Sequence, residues 1–164
     1  MIGTKFYKPV KTEEECAAYN VAVDWCNSTQ KGIIEDKGEY YEVIAVPAPS
    51  LEEVKAQKIA ELKSIRDTKE VEPIQTDKGI FDYDDKSRDR LAIARQALTD
   101  AGGGEIVWTT ADNQRVSMGI ADFAAINGQA AMRSNALHVK YNELKESVKK
   151  AKTAEEVNAI QWTD

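Results

Sequence analysis

The sequence predicts an α+β fold: a small strand-helix-hairpin unit first, then a linker helix, then a mostly helical domain with a short β-hairpin and one long helix. Three observations predict it. A Ser or Thr followed three residues later by Glu occurs at Thr12 and Glu15, Ser50 and Glu53, and Thr153 and Glu156, each time ahead of apolar residues at helical spacing. Runs rich in aromatic and β-branched residues, at 39–46 and 105–109, adjoin turn-forming residues. From about Met118 to Lys150 one continuous pattern of three-four spacing reads as a single long helix.

In chain order, residues 4–10 carry Phe6, Tyr7 and Val10 around Pro9 and read as a short strand, which the proline places at a sheet edge. Thr12 then caps a helix whose Cys16, Tyr19, Val23 and Cys26 fall three and four apart and form one inward stripe, ending near Gly32. Ile33 and Ile34, the turn Asp36-Lys37-Gly38 and residues 39–46 form a hairpin, completing a unit over residues 1–49. Pro47 and Pro49 break pairing and stiffen the joint.

Ser50 opens a helix with Leu51, Val54, Ile59, Leu62 and Ile65 on one side. It is expected to fray over residues 66–72, to end before Pro73 and to link the two halves as residues 50–71. The remaining domain, residues 72–164, starts with a turn and short strands over 74–83, which insert Phe81 and Tyr83 into a core. Asp84 or Asp85 caps the next helix, expected to turn Leu91, Ile93, Ala94 and Leu98 inward and to stop at Gly102, Gly103 and Gly104. A hairpin follows, with strands at 105–109 and 115–117 around a turn in which Asp112 and Asn113 tolerate positive φ. The long helix places Ile120, Phe123, Asn127, Ala130, Ser134, Leu137, Tyr141, Leu144, Val148 and Ala151 on one seam, and a last short helix folds Val157, Ile160 and Trp162 back onto it.

The charge balance, 28 acidic against 22 basic side chains, offers no attraction for nucleic acid or an anionic membrane surface. No apolar run is long enough to span a bilayer, and the first residues show no signal-peptide pattern, so residence in the cytoplasm is expected. Cys16 and Cys26 lie on one predicted helix, about 15 Å apart along its axis, which rules out a disulfide between them and suits reduced thiols.

Candidate chemistry is sparse. The single histidine, His138, has no acidic residue one turn away on its helix, and a structural or surface role fits it best. Asp82, Asp84 and Asp85 resemble the start of a calcium loop, but Lys86 and Ile93 stand where that loop needs glycine and glutamate, so capping and ion pairing to Arg88 and Arg90 account for them. The three consecutive glycines follow a helix instead of opening one, and no Gly-Lys-Ser or Gly-Lys-Thr comes after them, which argues against a phosphate loop. No catalytic residue, metal ligand or cofactor is assigned, and the chain is expected not to be an enzyme. Trp25, Trp108 and Trp162 read as core anchors. The seam carries the functional expectation: Ile120, Phe123, Leu137, Tyr141, Leu144 and Val148 form either a partner-binding or self-association surface or, packed against neighbouring helices, an intramolecular core.

Several strings recur in order over residues 72–162: Glu72-Pro73-Ile74, Phe81-Asp82-Tyr83-Asp84 before Lys86-Ser87-Arg88, and Trp108-Thr-Thr-Ala-Asp112-Asn113. They continue through the run from Met132 to His138 with Tyr141, and through Thr153-Ala-Glu-Glu-Val157 with Trp162. In these the second half resembles a small uncharacterised domain family found toward the carboxyl ends of phage tail and tail-fibre accessory proteins. The resemblance implies a place in the tail module and brings no catalytic residues with it. The expected role is a chaperone for assembly of a tail fibre or receptor-binding protein, working in the host cytoplasm. The alternative is a virion component, a tail or baseplate adaptor docking through its first unit; a small hydrolase is the remote third reading. Partners are then a phage tail, fibre or baseplate protein and further copies of the chain, for which a trimer would suit a fibre.

Overall fold

The structure is a computed structural model that describes residues 1–163. Residue 164, the last of the expected second domain, lies outside the described residues. The chain divides into two compact units, residues 1–49 and 50–164.

In the first unit a three-stranded antiparallel sheet, order β1-β3-β2, packs on one helix. Strand β1 spans Lys5–Tyr7, β2 Gly32–Asp36 and β3 Tyr40–Ala45, with helix α1 at Glu13–Thr29. β1 is shorter than expected: Pro9 lies beyond it, although the strand does sit at the sheet edge. Thr12 closes a complete capping box, its hydroxyl accepting the Glu15 N–H while the Glu15 carboxylate accepts the Thr12 N–H. The core is Ala22, Cys26 and Val43, with Phe6, Trp25 and Ile34 packed around it. One expectation for α1 is corrected: Cys16 is exposed, because the helix meets this core through its second half, around Ala22 and Cys26.

The second unit contains helices α2 (Leu51–Glu70), α3 (Asp85–Asp100), α4 (Ile120–Lys150) and α5 (Ala154–Ala159). Two hairpins complete it, β4 (Ile74–Thr76) with β5 (Gly79–Phe81), and β6 (Glu105–Thr109) with β7 (Arg115–Gly119). Helix α4 is the spine. Its first half carries Phe123, Ile126 and Ala130 against Ile74, Phe81, Leu91, Ala94, Leu98 and Met118. Its second half carries Tyr141 and Val148 against Leu62 of α2 and Val157 of α5, with Leu51, Val54, Ile59, Leu144, Ile160 and Trp162 around them.

Four expectations change here. The helix read as a linker is part of the second unit, because α2 lays its apolar side along α4 and α5. It does not fray at residue 66 but continues to Glu70: nothing from 51 to 70 breaks a helix, and the Arg66 guanidinium lies 4.9 Å from the Tyr141 ring centre. Ile93 is 69% exposed, since only Leu91, Ala94 and Leu98 of α3 turn inward. Met118 belongs to β7, fully buried, so α4 begins two residues later.

Helix ends follow the local chemistry. Ser50 and Glu53 form a second complete capping box, and Asp84 caps α3 by accepting the Ser87 N–H at 2.7 Å. Thr153 accepts the Glu156 N–H, but Glu156 reaches back to the amide of Lys152 instead of to the cap residue. After α3, Gly102, Gly103 and Gly104 all take positive φ, which lets the Gly103 N–H reach the Leu98 carbonyl at 2.8 Å.

Candidate functional site

The seam residues are drawn together by α4, but into the chain's own interior. Phe123 and Val148 are fully buried and Tyr141 is 7% exposed, while Ile120, Leu137 and Leu144 are half-buried beside the same two clusters or near them. The seam therefore forms intramolecular core, and most of its apolar area is not available as a partner-binding surface. Its phase also differs by one residue near the start: Ile126, fully buried, takes the inward place expected of Asn127. Leu137 reaches a surface depression shared with Arg133, Ala136, Lys140 and Trp162, and Asn127, Ala130 and Ser134 border another.

The expected structural residues sit at joints of the second unit. Phe81 is 1% exposed. Trp108 meets Phe123 edge-on at 5.4 Å, with the Arg90 guanidinium 5.2 Å from its ring. In the β6–β7 turn Asn113 adopts φ 62°, and the Asp112 carboxylate accepts the hydroxyl of buried Thr110. Trp162 packs beside the α2–α4–α5 cluster under Lys140, 5.3 Å from its ring.

Two arrangements were invisible along the sequence. Glu70 at the end of α2 accepts the Ser134 hydroxyl and lies 3.7 Å from His138 Nε2, so the histidine does have a carboxylate neighbour, from another helix. Arg133 on the same face donates to the carbonyls of Glu70 at 2.8 Å and Pro73 at 3.3 Å, holding the end of α2. In the second arrangement, Lys78 from the β4–β5 turn donates to the Ser117 carbonyl and to Asp122, each at 2.7 Å, while Asp122 also accepts the Gly119 N–H. The Lys78 ammonium and the Gly119 amide hold the Asp122 carboxyl below its usual range, and the hydrogen bond to Asp122 raises Lys78.

In the first arrangement Ser134 and Glu70 border a small depression together with Tyr83, Arg88 and Asn127. Among the described residues no group of three or more His, Cys, Asp or Glu side chains is placed to hold a metal ion, and no helix is long and apolar enough to cross a membrane.

The first unit carries an apolar surface feature of its own. A groove of about 540 Å³ runs between α1 and β2, lined by Tyr19, Val23, Cys26, Gly32, Ile34 and Val46 among others. Gly32 allows this packing: a Cβ there would come within 2.7 Å of the Trp25 ring. At the far end of β2, Lys8 ion-pairs with Asp36; that hydrogen bond, with the Gly38 N–H, lowers the Asp36 carboxyl. The groove's chemistry suits an apolar side chain beside an extended backbone. Sequence reading placed the hairpin but not the groove, which exists only once α1 lies under the sheet.

No curated protein and no solved structure matches the chain. A family model, described as a domain of unknown function (DUF4376), matches residues 53–161. That span starts within the first turn of α2 and runs past α5, so it follows the second unit almost from end to end and leaves out the groove-bearing first unit. By this match the chain belongs to the DUF4376 family.

Proposed function

We propose that the chain is a non-enzymatic accessory protein of a bacteriophage tail, acting as an assembly chaperone for a tail fibre or receptor-binding protein in the host cytoplasm. One observation carries the reading. The strings resembling tail accessory proteins fall inside the family span, apart from Trp162 just beyond its end, and supply joints of the second unit at Phe81, Trp108, Asp112 and Asn113, while the first unit, outside that span, keeps an open apolar groove. A shared closed domain paired with a separate unit that offers an apolar site suits a helper adapted to one client. The client is proposed to be a phage tail, fibre or baseplate protein, with neither nucleic acid nor membrane engaged.

A second reading uses the same groove differently: a tail or baseplate adaptor whose first unit stays docked in the finished virion. Mass spectrometry of purified particles against infected-cell lysate, scaled to a major tail subunit, separates the two. A chaperone is abundant in lysate and missing from particles, whereas stoichiometric recovery from particles overturns it in favour of the adaptor. A hydrolase would need a built catalytic pair. His138 is the one histidine, and replacing it with alanine is expected to leave infectivity unchanged.

A further inference from the structure

Helix α4 turns a second face outward, on the side away from its core contacts. Phe123, Ile126, Ala130, Tyr141 and Val148 are buried, and at about 100° per residue Ala121, Gly128, Met132 and Val139 point within about 20° of the opposite direction. All four are exposed, Met132 at 77% and Val139 at 50%. From Ala121 to Asn142 no exposed residue of α4 is Lys, Arg, Asp or Glu, although 30% of the chain is charged. The exposed sides of α2 and α3 differ, with Glu61, Lys63 and Asp67 on one and Lys86 and Asp89 on the other. Gly128 sits in the middle of this face. A helix interior disfavours glycine, and an added Cβ there would meet nothing within 4 Å, so packing within one chain gives no reason for it.

We infer that this face pairs with the same face of a second copy of the chain, helix against helix, antiparallel about a two-fold axis at the level of residue 130. Shape selects this occupant and this register. Gly128 and Met132 lie equally far from that level, as do Ala121 and Val139, so the axis sets each large side chain against a small residue of the second copy: Met132 over Gly128, Val139 over Ala121. Asn135 falls over Ala125 in the same way. Glycine at 128 is then the space that a methionine fills. Charge selects the direction. Glu143 is exposed and makes no ion pair among the described residues, and it falls beside the amino end of the second copy's α4, where the helix dipole favours a carboxylate. A parallel pairing would set Met132 against Met132, leave Gly128 against Gly128 and bring Glu143 to Glu143. The strip from Ala121 to Val139 is about 27 Å long. One helix face of that length buries less than the about 800 Å² per partner of a stable complex, so the pairing is reversible. It leaves the buried seam and the groove of the first unit untouched. Its symmetry is two-fold, different from the trimer expected for a fibre partner, and it does not rest on the phage reading.

The test uses the full chain in sedimentation equilibrium, with Gly128→Met, Met132→Gly and the double exchange. The wild type is expected to dimerise reversibly. Gly128→Met sets methionine against methionine and Met132→Gly leaves glycine against glycine, so each is expected to weaken the dimer roughly tenfold, while the double exchange again sets large against small and restores it. Val107→Ser, which removes a side chain 70% exposed on β6, is expected to leave the dimer unchanged. Circular dichroism checks that each variant is folded, as expected for changes at exposed positions. A wild-type chain that stays monomeric overturns the inference. So does a dimer indifferent to the single changes, one that the double exchange fails to restore, or one that Val107→Ser weakens as much.

Discussion

Lys78 and Asp122 meet at 2.7 Å and join the β4–β5 turn to the first turn of α4, with Asp122 also closing the end of that helix through the Gly119 amide. Helix start and hairpin position thus depend on one carboxylate. Because the folded state holds the Asp122 carboxyl below its usual 3.8, the pair's contribution is complete above that value and is lost as pH falls through the lower folded value. Lys78 is raised above 10.5, so its share is complete below that value and is lost as pH rises through the higher one. Asp122→Asn is expected to lower Tm at neutral pH and to flatten the fall in Tm between about pH 5 and pH 3. Thermal unfolding of both proteins across that range measures it, and parallel curves would show that the carboxylate has no such role.

The interior of α4 can be tested by contrast. Phe123→Ala removes a fully buried ring that packs on Trp108 and should destabilise the chain by about 3–5 kcal/mol. Met132→Ser, on the same helix at 77% exposure, should change stability by no more than about 0.5 kcal/mol. Urea titrations of the two variants should separate clearly.

Two glycines should respond in opposite directions to alanine. Gly79 has φ +128° and a Cβ there would lie 3.1 Å from Thr110 Cγ2, so Gly79→Ala should cost more than about 1 kcal/mol. Gly128 is an exposed interior residue of α4 with open space around it, and Gly128→Ala should stabilise by about 0.5–1 kcal/mol. Equal shifts in the urea midpoint would contradict both assignments.

The cysteines offer a chemical reading of the first unit. A thiol reagent should modify exposed Cys16 promptly in the native protein and reach buried Cys26 only as the unit opens. Counting modified thiols with and without denaturant checks this; fast double labelling under native conditions would mean that α1 does not rest on its sheet as described.

Much of the fold was legible because it is written locally. Thr12, Ser50, Asp84 and Thr153 mark helix starts through hydroxyl or carboxylate groups that satisfy amides within one turn, and Asn113 marks its turn by tolerating positive φ. What escaped reading depends on partners far along the chain. The neighbours of Glu70, Ser134 and His138, lie 64 and 68 residues away, and no helical periodicity reports them. Asn127 and Ile126 differ by one position, a rotation of about 100°, and only packing against Leu91 and Phe81 decides which turns inward. The end of α2 was misplaced for a similar reason: the charged run after Ile65 looks unsupported until Tyr141 lies under Arg66 and Arg133 holds the final carbonyls. The groove belongs to this class too, since Trp25 and Gly32 become a matched pair only across the α1–β2 packing.

The meeting of Leu62 with Val157 has a consequence for how the chain leaves the ribosome. The core of the first unit, Ala22, Cys26 and Val43 with Phe6, Trp25 and Ile34, is drawn from residues 1–49 alone and is complete in sequence before the second unit begins. Helix α2 comes next but cannot cover its apolar side until the second half of α4 and then α5 emerge, nearly a hundred residues later. During that interval α2 is a nascent segment rich in charge with an unprotected stripe of Leu51, Val54, Ile59 and Leu62, and the many lysines and glutamates along it keep it in solution while it waits.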